Sequence, residues 1–132
     1  MEVITQNITV LLLLLFLVIT FLQSGIDKMI DWKGNLDWLT GHFSQTPFKK
    51  MVPLMLFIVL VMEVLAGLFS GIGFVQILLS GESVFAFFGG VLACITLLML
   101  LFGQRMAKDY EGAKTIVIYF IPAILLVFLL QY

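Results

Sequence analysis

Four apolar runs constrain this chain more than any other feature. A helix needs roughly 20 mostly apolar residues to cross about 30 Å of hydrocarbon, and residues 8–24, 52–72, 84–103 and 115–131 each supply a run of that kind. Backbone polar groups in hydrocarbon must be paired within a helix or a closed barrel. The expected fold is therefore an all-α integral membrane protein, a bundle of four transmembrane helices forming one domain over residues 1–132. Composition agrees, with 62% hydrophobic and 11% charged residues and a mean hydropathy of +1.18, outside the range of soluble domains. The short connections leave no room for a soluble domain.

The first run, ITVLLLLLFLVITFLQS, lacks a positively charged leader and a small-residue cleavage site, which marks it as a retained helix rather than a signal peptide. The second starts beside Pro53, a residue suited to a first helical turn because its missing N–H would have no partner there. It ends near residue 72 or, because FVQILL is also apolar, as late as Leu79. The fourth contains Pro122, which removes a hydrogen bond to the Ile118 carbonyl and predicts a kink.

The connection over residues 25–51 carries a pattern of its own. Trp32, Leu36, Leu39 and Phe43 recur at helical spacing, with Asp31, Lys33 and Asp37 turned away. That stripe predicts a short amphipathic helix lying in the membrane interface between the first two membrane helices. Gly34 and Gly41 favour a short or broken one, and the two Trp suit the headgroup level.

Lys28, Lys33, Lys49 and Lys50 fall in the first connection and Arg105, Lys108 and Lys114 in the third. With an even number of helices these connections share a side, and no Lys or Arg remains on the other. The positive-inside rule then places the first and third connections in the cytoplasm and both termini outside. Lys49, Lys50, Arg105 and Lys108 are candidate contacts for anionic lipid headgroups. The overall net charge of -1 gives no electrostatic footprint for nucleic acid.

Within the second run, LMLFIVLVMEVLAGLFSGIGF, one carboxylic acid stands near the middle. A charge at mid-membrane costs about 2.5–3.5 kcal/mol on insertion scales, so such a residue faces the protein interior as a rule. Ala66, Gly67, Ser70 and Gly71 follow Glu63 at helical spacing and form a ridge of small residues on its face. Leu60 and Val64 fall on other parts of the helix surface, and Phe57, Val61 and Leu68 suit lipid. The third run offers Gly89, Gly90, Ala93, Cys94 and Thr96, with small-xxx-small spacing between Gly89 and Ala93. The expected partner of the ridge is therefore the third helix. A buried neutral acid donating one hydrogen bond is cheaper than a buried charge, and Thr20, Thr96 and Tyr119 match Glu63 in depth. Three roles stay open for Glu63: a bond between helices, proton handling or anchorage of an apolar ligand, and a partner interface.

Other residues carry less. His42 is the only histidine and reads as a solvated loop residue, and Cys94, the only cysteine, as a packing residue; a disulfide, a CxxC centre and a cysteine-based metal site are excluded within this chain. Arg105, Lys108, Asp109, Tyr110 and Glu111 read as a solvated helix end. No phosphate loop, catalytic triad or metal-ligand spacing occurs, so no catalytic or metal-binding residue is assigned.

Two stretches, SGIDKMIDW at the end of the first helix and MEVLAGLFSGIG in the second, together with the four-helix layout over nearly the whole chain, resemble the DoxX family of small bacterial membrane proteins. That family is named for a subunit associated with a quinone-linked oxidoreductase, and relatives are linked to thiosulfate oxidation or to oxidative-stress complexes. The resemblance implies Glu63 and Lys28 as the functional polar positions and Gly25 and Gly67 as packing positions. The chain departs from the pattern in lacking an Arg at the start of the first helix and a domain for a sulfur substrate. The expected function is a subunit of a larger bacterial inner-membrane complex, with membrane lipids and other membrane subunits as partners, and more a subunit than an enzyme on its own. No covalently bound cofactor is expected; quinone is the candidate non-covalent one. Two rivals are a carrier or receptor for a small hydrophobic molecule and a purely structural accessory subunit. The scarcity of intramembrane polar groups beyond Thr20, Glu63, Ser70, Thr96 and Tyr119 favours the subunit readings.

Overall fold

A computed structural model describes residues 2–131. In chain order they form α1 (Glu2–Gln6), α2 (Ile8–Ile30), α3 (Trp32–His42), a 3-10 turn (Lys49–Met51), α4 (Val52–Ser80), α5 (Val84–Met106) and α6 (Tyr110–Gln131). Among the described residues, α2, α4 with its leading turn, α5 and α6 are the four helices long and apolar enough to cross a membrane. The protein is an all-α, multi-pass membrane bundle.

The helix ends follow from local chemistry. Pro53 stands in the first turn of α4, and Gly81 closes that helix at φ 77°, its N–H donating to the Ile77 carbonyl at 2.9 Å. Only glycine takes that left-handed conformation without strain. Gln76 Oε1 then accepts from the Phe85 N–H at 3.2 Å, so α4 supplies the cap of α5. Asp109 starts α6 in the same manner, its Oδ1 accepting from the Gly112 N–H at 2.9 Å. α6 runs through Pro122 as a continuous helix. α3 is continuous despite Gly34 and Gly41, and Asp31 caps it by accepting from the Gly34 N–H at 3.2 Å.

α4 is the central element, packed along α2 and α5, while α5 packs on α6 and α2 touches α6 to close the bundle. Lipid is as apolar as leucine, so burial of oil from water does not hold such helices together; close approach at small residues does. Ala66, Ala86, Ala93 and Ala123 are fully buried in the core with Leu14, Leu126 and Ile77. Large side chains such as Leu12, Ile19, Phe57, Leu68, Ile121 and Phe128 point outward.

The ridge on α4 serves two neighbours rather than one. Ser70 and Gly73 face α5: a Cβ on Gly89 would lie 2.7 Å from the Ser70 N, and one on Gly73 would collide with the Ala86 backbone. Gly67 faces α2, where a Cβ would lie 2.6 Å from Leu22, and Gly71 looks across to Val18 at 3.8 Å. The expectation that the whole ridge meets the third membrane helix is thus corrected. Its residues span more than one helical face, and the half containing Gly67 and Gly71 belongs to α2. Leu60 and Val64, placed elsewhere by the sequence reading, pack over Gly25, with Val64 Cγ2 at 3.0 Å from where its Cβ would be.

Candidate functional site

α2 outlasts its apolar run. Ser24, Gly25, Asp27 and Lys28 look like the end of a membrane segment, yet the helix continues to Ile30 and places Lys28 in its last turn. Every Cα–Cβ bond in a helix tilts toward the N-terminus, which for α2 means toward the far side of the bundle. Lysines near membrane helix ends commonly stretch outward to water. Lys28 instead reaches back one turn, where its Nζ donates to Ser24 Oγ at 2.7 Å, and across to α4, where it lies 2.8 Å from Glu63 Oε1.

Glu63 sits roughly 16 Å along α4 from Val52, at 1.5 Å per residue, and is 3% exposed. Its partner corrects the sequence reading, which paired it with Thr20, Thr96 or Tyr119. Thr96 instead donates to the Leu92 carbonyl at 2.7 Å, and Tyr119 is exposed with its ring 6.1 Å from Phe16. An ion pair forms because both members are drawn from water and each offsets the other's charge. Glu63 Oε1 receives no hydrogen bond of good angle despite the 2.8 Å approach, so the contact is chiefly one of charge. Lys28 carries three N–H donors, and Ser24 takes one of them.

Beside this pair the helices part. A cavity of about 650 Å³ lies between α3, α4 and α5, with Lys28 on its wall. Its lining is apolar and aromatic: Trp38, Leu39, Phe43 and Phe48 from the α3 side, Leu56 and Val59 from α4, Met99 and Phe102 from α5. Polar groups are few, Asn35 and Gln104 besides Lys28. Ile58, Ile95, Leu98 and Phe102 line it while remaining exposed, which gives the cavity an apolar margin at the bundle surface. Volume and lining match sites that hold small organic molecules, typically 300–1,000 Å³ with a small number of polar groups.

The amphipathic helix forms the outer wall. Phe43 is buried and its ring approaches Gly103, 3.4 Å from where a Cβ would stand. His42 is no solvated loop residue: it ends α3, stacks on Trp38 at 4.6 Å between ring centroids, and brings Nε2 to 2.8 Å from Gln104 Oε1 and 3.6 Å from Asp109 Oδ2. These contacts tie α3 to the end of α5 and the turn after it.

The remaining candidates are scattered. Ala66 and Ala93 are fully buried packing residues, and Ser70 Oγ is buried without a hydrogen-bond partner at the close approach to Gly89. Lys49, Lys50 and Lys108 are exposed, as is Arg105, whose guanidinium lies 5.1 Å from the Tyr110 ring centroid. Cys94 is buried and free. Among the described residues no group of three His, Cys, Asp or Glu is placed to hold a metal ion.

Sequence reasoning missed Asn35, Trp38 and Gln104 as lining residues and Ser24 as the third member of the polar cluster. Ser24 and Lys28 stand four residues apart, the spacing at which helical side chains meet, and that spacing was the available signal. Comparison of the chain with protein-family models, curated proteins and solved structures finds no match.

Proposed function

We propose that this protein is a non-catalytic membrane subunit that binds a small apolar molecule of the quinone class in the cavity between α3, α4 and α5. The observation that carries this reading is the cavity of about 650 Å³ with aromatic walls and the Lys28–Glu63 pair at its edge. A quinone is a flat apolar ring whose carbonyl oxygens accept hydrogen bonds. Aromatic walls suit the ring, and the Lys28 ammonium suits a carbonyl.

The DoxX resemblance in SGIDKMIDW and MEVLAGLFSGIG supports the same conclusion, since Lys28 and Glu63 are its matching polar positions. It further supports a place in a larger complex of the bacterial inner membrane. Clustering of all Lys and Arg in the first and third connections supports a cytoplasmic position for α3 and the cavity end, with Lys49, Lys50, Arg105 and Lys108 among anionic headgroups. The rival of a stand-alone carrier shares the cavity and differs in having no partner subunits.

The test is quenching of Trp38 by 2-methyl-1,4-naphthoquinone in phosphatidylcholine nanodiscs, with Trp32→Phe to leave one indole. Saturable quenching that Val59→Phe abolishes is expected. Quenching that rises linearly with quinone in the bilayer, equal in both proteins, would reject the site. Isolation in mild detergent followed by identification of bound proteins separates subunit from carrier: stable partner subunits are expected, and a monomer free of partners would reject the complex.

A further inference from the structure

We propose that Glu63 sets the ligand class of this cavity, making it select a neutral amphiphile with a hydrogen-bond acceptor over an anionic amphiphile of the same size. The inference rests on the reading that the cavity binds a small apolar ligand. Among the described residues that line the cavity, Lys28 is the one that is charged. An ammonium alone on an apolar wall would be a receptor for carboxylates, because the low dielectric strengthens attraction between opposite charges. Glu63 removes that property. It is no part of the wall, but its Oε1 stands 2.8 Å from Lys28 Nζ and cancels the charge there.

A carboxylate reaching Lys28 from the cavity would therefore gain an ammonium and at once face a second carboxylate a few ångströms behind it. Like charges at that separation disfavour each other strongly when both are shielded from water. A carbonyl or ether oxygen meets no such opposition, since it accepts a hydrogen bond and brings no net charge. The other polar lining side chains, Asn35 and Gln104, are amides without net charge, and Asn35 Nδ2 already donates to the Asp31 carbonyl at 2.8 Å. Among the described residues no second cation lines the wall to balance an anion's charge. Glu63 is thus a specificity-determining residue that acts through Lys28, and the apolar body of the ligand lies against Trp38, Phe43 and Phe102.

Competition with the quinone at Trp38 separates the classes. The probes are 2-acetylnaphthalene and 2-naphthoate, matched in ring size and differing in charge, at pH 7.5 in phosphatidylcholine nanodiscs. The wild-type cavity is expected to take the ketone at least about tenfold more tightly than the carboxylate, the size of effect that one buried like-charge contact produces. Glu63→Gln is expected to move that ratio at least about tenfold toward the carboxylate, and Glu63→Asp to leave it near the wild-type value. Lys28→Gln should weaken the ketone without improving the carboxylate. Equal competition by both probes in the wild-type protein would overturn the inference, as would a ratio unmoved by Glu63→Gln. If Glu63→Gln does not give folded protein, Glu63→Met, which also removes the carboxylate, is read in its place with the same expected and overturning outcomes. Absence of saturable quenching by the quinone is a different failure: it removes the cavity reading on which this inference rests, whereas intact quenching with an unmoved ratio rejects the role of Glu63 alone.

Discussion

α4 and α5 meet at both ends of their shared length, and the two meetings have opposite character. Around Ser70, Gly73, Ala86 and Gly89 the backbones are in contact, so close that a Cβ on Gly89 would stand 2.7 Å from the Ser70 N. Around residues 55–59 and 95–103 the same helices flank a cavity of about 650 Å³. Side-chain size explains the difference. Small residues admit the neighbouring backbone, whereas the larger Met55, Leu56, Val59 and Met99 line the gap, Leu98 and Phe102 stand at its exposed margin, and α3 covers it. One end of the bundle is organised for adhesion and the other for occupancy, and the Lys28–Glu63 pair stands at the edge of the open end.

The largest effect is expected where that boundary is broken. Lys28→Met leaves Glu63 buried at 3% exposure without its counter-charge, and removal of one member of such a pair costs about 3 kcal/mol or more. The double variant Lys28→Met with Glu63→Leu should recover most of that loss, because no charge is then left in apolar surroundings. Unfolding in mixed micelles of increasing dodecyl sulfate content measures both. A double variant no more stable than the single one would show that the two side chains act independently.

The next effect contrasts the two ends directly. Gly73→Val and Gly89→Val force a branched side chain into backbone at the tight end, and each is expected to destabilise by about 2 kcal/mol. Val59→Phe adds more atoms at the open end, where the cavity receives them, and should change stability by less than about 1.5 kcal/mol while abolishing quinone quenching. Equal losses at both ends in the same unfolding assay would mean that the cavity does not survive in the membrane. A loss confined to the tight end sharpens the division.

The adhesive end was largely legible in the sequence and the open end was not. Apolar runs announce membrane helices because hydrocarbon excludes charge over a fixed length, and small residues such as Ser70 and Gly89 announce close approach because nothing else permits it. Lys28 was harder to place. Polar residues after Gln23 look like the end of a membrane helix, and only the three-dimensional pairing with Ser24 and Glu63 shows why α2 continues to Ile30. The DoxX resemblance singled out Lys28 and Glu63 without saying that they touch. A cavity leaves still less trace, since Leu98, Met99 and Phe102 have the same composition whether they face lipid, core or empty space. His42 was misread because its partners, Gln104 and Asp109, lie more than sixty residues away in sequence.

The smallest effect tests the cover of the open end. His42 joins α3 to α5 through a hydrogen bond to Gln104, its ring held by a stack on Trp38 of its own helix, and a single such bond contributes about 1 kcal/mol net. Global stability should therefore move little in His42→Ala, since α3 contributes no buried residue within its own span. Local opening is another matter. The amides of α3 are held by a short helix lying against the bundle, and such a helix opens with a lower free energy than the membrane spans. Loss of about 1 kcal/mol there raises the open population roughly fivefold. Hydrogen exchange should accelerate by that factor across residues 35–42 and remain unchanged in α4 and α5. Acceleration spread over α5 as well would make His42 part of the bundle itself, and no acceleration would mean that Phe43, buried at the Gly103 contact, holds the cover without it.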